Sequence, residues 1–413
     1  MQTPSIDGTS SETPAEIARA YRVTRLCVVL LLCMSAFIPS ISRAQTQRSA
    51  NGASESIPQP AVPAILAAFD KYEVVAMPEA HGMRDLDDFI FSLIRNPAFP
   101  EKVDDIAVEC GNSLYQPILD RYIAGEPVAF AEVRKVWRNT TQPMCGTSAF
   151  FEQFFPLVRA INQKLPPGKR LRVLAGDSPV DWDKVTTDIS DAPKKFFDRN
   201  GSIASVMENE VLSKRRKALM LFGTFHLMHG VANDAVARYE KDYPNVTFVI
   251  SDLTDFIPDL AGRSRSPFAA WSFPSLALAK GTRLGALDIT HFFPGPVHVD
   301  KDCNVSLPGF SKDLQKPMGD LIDAFLYVGP QDLELSEKEP ADILLDTAYM
   351  KEWLRREILI AGPFGAEITT QDALDDNIVS GAENPIYELP THPDIKAIAQ
   401  SCLDFRKQSS TPK

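Results

Sequence analysis

Five residues able to exchange protons stand at the ends of four short apolar runs. The first run, Val74-Val75-Ala76-Met77-Pro78, delivers Glu79 and His81 on either side of one alanine, and Gly82 follows. Ile106-Ala107-Val108 ends at Glu109, Leu171 to Ala175 ends at Gly176-Asp177, and Ala218 to Phe222 ends at Gly223-Thr224-Phe225-His226. Apolar runs of this length read as buried strands. In an open parallel sheet the carboxyl ends of the strands share one edge, where ligands bind, so residues far apart in sequence meet in one cleft. Each member alone has an ordinary reading, because a strand-end carboxylate often caps the next helix and a lone histidine is often structural. The set, in a chain with only six histidines, points to a site.

Two carboxylates and two imidazoles suit two designs. In the first, His81 is a general base that activates water, Glu79 or Glu109 orients it, and His226 stabilises the developing oxyanion or acts as acid. In the second, the His/Glu set holds a divalent metal that lowers the pKa of a bound water. Asp177 joins the same edge as a substrate-binding candidate, with capping or packing as its plainer role. Arg84, just past Gly82, is placed to bind an anionic group or to face solvent. His229, three residues after His226, either shares a helical face with it toward a ligand or lines the turn before Gly230. His291 and His298 lie in an aromatic loop, Thr290-His291-Phe292-Phe293-Pro294-Gly295-Pro296-Val297-His298. That loop suits a substrate cover, a haem contact, or a surface loop packed by its own rings. No G-x-S-x-G elbow, P-loop or G-x-G-x-x-G occurs, so neither a serine triad nor nucleotide binding is supported.

Helices must position these strand ends. Val62, Ile65, Leu66 and Phe69 share one helical face, as do Leu86, Phe89, Ile90, Leu93 and Ile94, which Asn96-Pro97 terminates. A helix is expected from about Ser113 to Gly125, another through Phe151, Phe154, Phe155, Val158 and Ile161, and a third near 231–241. Residues 130–147 show no clear period. Residues 181–215 are mostly polar, with Phe196-Phe197 as the aromatic pair, and read as an insertion or cap. Strands at 246–250 and 324–328 extend the alternation, and a helix over 349–359 precedes a polar tail. Alternating strands and helices predict an α/β fold: a mostly parallel central sheet flanked by helices, with helical insertions and an irregular C-terminal region.

The expected organisation is a signal peptide over 1–44, a flexible leader over 45–58, an α/β domain over 59–330 and a helical extension over 331–413. Arg19, Arg22 and Arg25 precede an uncharged stretch, Leu26 to Ser42, and Ser42-Arg43-Ala44 offers small residues for cleavage after Ala44. An uncleaved anchor is the alternative, but Pro39 leaves the apolar run short of the roughly 20 residues a span needs. The chain is therefore expected to be exported, to the periplasm or beyond, with no membrane span in its mature part. Cys110, Cys145, Cys303 and Cys402 then face an oxidising compartment and allow two disulfides in three connectivities; Cys110 alone equally suits a buried thiol. At 413 residues, 44% hydrophobic and 23% charged, the chain can bury a full core. Its net charge of −11 argues against nucleic acid, whose phosphates need a basic footprint.

Glu79-Ala80-His81-Gly82, the Glu109 strand end, Gly176-Asp177 and Gly223-Thr224-Phe225-His226 together resemble the superfamily that unites erythromycin esterases, ChaN-like haem-binding proteins and the Tiki/TraB proteins. Its mark is a pair of G-x-x-H motifs at strand ends with a further acidic residue. The second motif is intact, whereas the first reads Pro78-Glu79-Ala80-His81, with proline in place of glycine. The stretch from Glu109 to Gly125, with Tyr115-Gln116 and Asp120-Arg121-Tyr122, is also similar to the esterases. The resemblance spans roughly residues 60–255. An esterase-like member implies water attack on an ester, lactone or amide with no cofactor, His81 as base, and Glu79, Glu109 and His226 in support. A Tiki-like member implies a metal-dependent protease, and a ChaN-like one a haem binder without catalysis. Export fits the last two more easily. The expected partner is a small-molecule substrate or haem. Pro78 also keeps open a degenerate member whose site no longer catalyses.

Overall fold

The computed structural model describes residues 53–185, 198–252, 267–293, 295, 297–299, 302–306, 309–330, 333–337, 341–361 and 395–409. The expected signal peptide, most of the leader and the Phe196-Phe197 pair lie outside them.

The apolar runs form the strands β2 (Val74–Pro78), β3 (Asp105–Asn112), β4 (Arg172–Asp177), β5 (Ala218–Phe222) and β6 (Thr247–Ser251). With β1 (Gln59–Pro60), β7 (Ser275–Leu278) and β10 (Ala324–Tyr327) they make one eight-stranded sheet in the order β1-β7-β10-β6-β2-β5-β3-β4. From β10 to β4 every neighbouring pair is parallel. β7 and β1 close one side antiparallel. Every residue of β2, β3, β5 and β6 is buried, which explains why these runs are continuously apolar rather than alternating: helices cover both faces. The sequence announced neither the two-residue β1 nor β7. β7 is short and antiparallel, in a proline-rich region, and its Leu278 is exposed.

On one face the helix Arg84–Arg95 buries Leu86, Phe89, Ile90, Leu93 and Ile94, the five residues of its apolar stripe. The helix Ala149–Asn162 buries Phe150, Phe151, Phe154 and Phe155, and Phe91 stacks on Phe150 with ring centroids 4.9 Å apart. Residues 130–138, which show no clear period in the sequence, form a helix that buries Val133, Val136 and Trp137. Trp137 stacks on Phe155 at 5.1 Å. The spacing i, i+3, i+4 was present, but over only one turn.

The chain divides into two compact units. The larger, residues 43–293 and 311–390, holds the sheet and the helix Thr347–Ala361. In the smaller, β8 (His298–Val299) pairs antiparallel with β9 (Val305–Ser306), and Cys303 is bonded to Cys402 on the helix Ile395–Ser409, with Val299 and Ile398 packed around the bridge. The expected extension over 331–413 is thus divided between the units, and its polar tail contains a helix. The second disulfide joins Cys110 to Cys145. Proteolysis without reductant should release two cross-linked peptide pairs, Cys110–Cys145 and Cys303–Cys402; mass spectrometry showing either of the other two connectivities contradicts this fold.

Candidate active site

The register of the parallel strands decides which side chains meet. Pro78 lies level with Phe222 on β5, and Val108 level with Leu221. Glu79 therefore emerges beside Gly223, and Glu109 one residue below. The β3–β4 pairing slips between Val108 and Asn112, a bulge that turns Glu109 into the shared edge. Gly176 makes this crowding possible, since a Cβ there would stand 2.5 Å from the Phe222 ring and 2.9 Å from the Val108 carbonyl oxygen. Gly82, at φ +90°, reverses the chain from His81 into the helix at Arg84, in a region that disfavours residues with a Cβ. Pro78 fits the strand. β2 pairs with β6 only from Val74 to Ala76, while Glu79 N–H donates to the Phe222 carbonyl at 3.1 Å. The N–H that proline lacks would point toward β6, where pairing has already ended.

Glu109 is the centre of the cluster and is 1% exposed. Its Oε1 accepts from Arg199 Nη2 at 2.8 Å, and its Oε2 accepts from the Gly223 N–H at 2.7 Å. His81 Nε2 and His226 Nε2 approach the same Oε1 at 3.6 and 3.4 Å. Glu79 Oε2 stands 2.9 Å from His81 Nδ1. The ring N–H is not aimed along that line, and neither atom has another hydrogen-bond partner, so charge rather than hydrogen-bond direction couples them. His226 Nδ1 meets Asn200 Oδ1 at 2.6 Å. Asp177, fully buried, accepts from Arg199 Nε at 3.0 Å and from the Thr141 N–H and hydroxyl at 2.7 Å each.

Electrostatics follow from these contacts. Burial opposes the charged form of His81, yet the Glu79 and Glu109 carboxylates overcome it and hold the imidazole well above the usual histidine range. Burial likewise opposes ionisation of Glu109, but the His226 ring and the Arg199 guanidinium hold it well below the usual carboxylate range. Beyond Glu79 lie two more carboxyls. Burial, with Glu337 and Glu79 nearby, pushes Asp87 up to about 10. Burial and Glu79 push Glu337 up to about 7. Glu337 reaches this place because its N–H donates to the Gly82 carbonyl at 2.7 Å and its carboxylate accepts from the Ser148 hydroxyl at 3.1 Å.

Glu79, His81, Glu109 and His226 are thus brought together. Asp177 lies one contact behind them, joined through Arg199. Two sequence candidates lie elsewhere. Arg84 has a side chain 54% exposed, 3.6 Å from Asp88 one turn on, because the helix that starts there turns it outward. His229 is engaged at both nitrogens, with Glu240 at 2.8 Å and Asp323 at 3.0 Å. Despite burial these carboxylates raise its pKa to about 9. It does not share a helical face with His226, since the chain after β5 makes only a three-residue turn, Thr224–His226. The sequence reading missed Arg199 and Asn200. They open the helix Arg199–Val206, whose N-cap Asp198 accepts from the Gly201 N–H at 3.1 Å. That Asp-Arg-Asn-Gly cap was the available signal inside a polar stretch.

The donor set does not suit a metal at Glu109, because the Arg199 guanidinium already occupies the position a cation would take. The His81 and His226 ring nitrogens face Glu79, Glu109 and Asn200. His291 is 3.4 Å from Asp288, and His298 belongs to the smaller unit.

No family model matches the chain, and neither does any curated protein. Among solved structures it is similar to a Bacillus cereus protein, at 8% identity and TM-score 0.37, over 77% of this chain and 98% of that one. It is also similar to ChaN of Campylobacter jejuni, described with cofacially bound haem, at 12% identity and TM-score 0.29, over 46% of this chain and 84% of that one. Both likenesses are remote. Among the described residues no helix is long and apolar enough to cross a membrane.

Arg199 compensates two buried carboxylates, so removing it should be costly. Arg199→Met is expected to lose about 3–5 kcal/mol in urea unfolding, and Arg199→Lys to recover only part, since an ammonium cannot bridge both carboxylates as the planar guanidinium does. A Met variant within about 0.5 kcal/mol of the parent would show that the carboxylates are not ionised together.

Proposed function

We propose that the protein is an exported hydrolase that cleaves an ester, lactone or amide by His81-assisted attack of water. The observation that carries this reading is the placement of His81 at the carboxyl edge of the sheet, with the Glu79 carboxylate behind Nδ1 and Nε2 facing the Glu109 oxygen that His226 also approaches. Water attacks the carbonyl carbon as His81 Nε2 takes its proton. Glu79 stabilises the imidazolium that forms, as a buried carboxylate does behind a catalytic histidine. The carbonyl electron pair moves to oxygen, where His226 donates a hydrogen bond. Collapse expels the alcohol or amine, which takes the proton back from His81. Arg199 positions Glu109 and takes no part in proton transfer. The paired histidine motifs are a mark that the esterase-like branch shares with the rest of the superfamily, and two disulfides support an oxidising destination.

The reading has a pH signature. A base must be neutral to accept a proton, and His81 is held in its charged form to well above the usual histidine range. The rate should therefore rise with pH through the His81 value and give an alkaline optimum. A broad ester and lactone panel should yield at least one substrate, with His81→Ala slower by at least about 100-fold and Glu79→Gln shifting the rising limb to lower pH. Full activity in His81→Ala, or a rate that falls through the same range, would sink the mechanism. The haem alternative predicts a Soret shift on hemin titration; we expect none, and a saturable shift lost in His81→Ala would replace the hydrolase reading.

A further inference from the structure

Hydrolysis as described leaves two buried sulfurs unused. Cys110 directly follows Glu109, and its partner Cys145 lies in the turn Pro143–Thr147. Both are fully buried. A ring nitrogen of His81 and the two sulfurs all lie within 4.8 Å of one another. A disulfide stapling the end of β3 to that turn has no need of an imidazole there.

We propose that reduction of Cys110–Cys145 converts this corner into a Cys₂His site for a borderline-soft divalent cation, Zn²⁺ above all, and withdraws His81 from other chemistry. Two thiolates and an imidazole are the donors such an ion favours. With metal–sulfur bonds of about 2.3 Å and metal–nitrogen bonds of about 2.1 Å, tetrahedral ligands stand roughly 3.4–3.8 Å apart. Once the S–S bond is gone, rotation about the two cysteine χ1 angles can adjust the sulfurs to that spacing. Three protein ligands leave the fourth position to water. Glu79 and Glu109 add negative charge nearby, and the Arg199 guanidinium is committed to Glu109 and Asp177. The step balances with a dithiol as reductant: its two thiols become a disulfide, and two electrons and two protons open Cys110–Cys145. Metal entry then releases the two thiol protons to solvent. In the oxidised chain the sulfurs are bonded to each other and the site does not exist. The proposal is independent of the hydrolytic reading.

Cobalt(II) is the probe. The full chain is reduced with dithiothreitol under argon, desalted and titrated with Co²⁺. The expected result is one Co²⁺ per chain, with thiolate-to-cobalt charge-transfer absorption that Zn²⁺ displaces, and no such absorption in the oxidised chain. The Cys110→Ser/Cys145→Ser variant should lose it although every other cysteine remains. His81→Ala, which keeps both sulfurs, should bind at least about 10-fold more weakly. Absorption that persists in the double variant overturns the proposal. So does its absence from reduced chain in which alkylation finds both thiols free, or a disulfide that will not open while the fold survives.

Discussion

A carboxylate buried at the end of a central strand is the constraint on which this site depends. Taking an ion of this kind out of water costs several kcal/mol unless charge and hydrogen bonds compensate it. At Glu109 the compensation comes from one guanidinium and one backbone N–H, both charge-assisted contacts below 3 Å. That fixes Arg199, which in turn holds Asp177, and Asp177 gathers Thr141. The oxygen that Arg199 holds is also the one both imidazoles approach. One ionised oxygen therefore sets the geometry of four elements: β3, β4, the loop after β5 and the helix Arg199–Val206.

The pH dependence of stability has two opposite arms. The Glu109 value is depressed in the fold, so its contribution is present above the unfolded carboxylate value, about 4.3, and is lost as pH falls through the folded one. The His81 value is raised, so its contribution is complete below about 6.5 and is lost as pH rises through the folded value. The cluster is tightest with His81 charged, whereas a base must be neutral. Stability and activity of the site consequently have different pH preferences, a tension common where function sets the arrangement of charges.

Much of this was legible in the amino-acid sequence, and the omissions have physical causes. Strands buried on both faces are continuous apolar runs, so β2 to β6 and the polar residues at their ends stood out. The amphipathic stripe of Arg84–Arg95 was equally clear. Arg199 and Asn200 were hidden because an eight-residue polar helix has almost no period, and their importance comes from partners about 90 and 26 residues away. For Arg84 and His229 the sequence left two roles open, because closeness in sequence to a functional residue does not say which way a helix or turn faces. Connectivity of four cysteines is a matter of which chain ends meet, which spacing does not encode. Pro78 stood out as a departure from the motif, and the register of β2 shows why the strand tolerates it.

The direct test of the central claim is the titration of the histidine rings, followed by NMR on uniformly ¹⁵N-labelled protein and assigned with His81→Gln and His226→Gln. The account requires the His81 ring to stay doubly protonated at a pH where an unperturbed histidine, near 6.5, is already neutral, and requires Glu109→Gln to lower its midpoint. A His81 ring that titrates at the ordinary value, or one unmoved by Glu109→Gln, would contradict the claim that an ionised Glu109 organises this site.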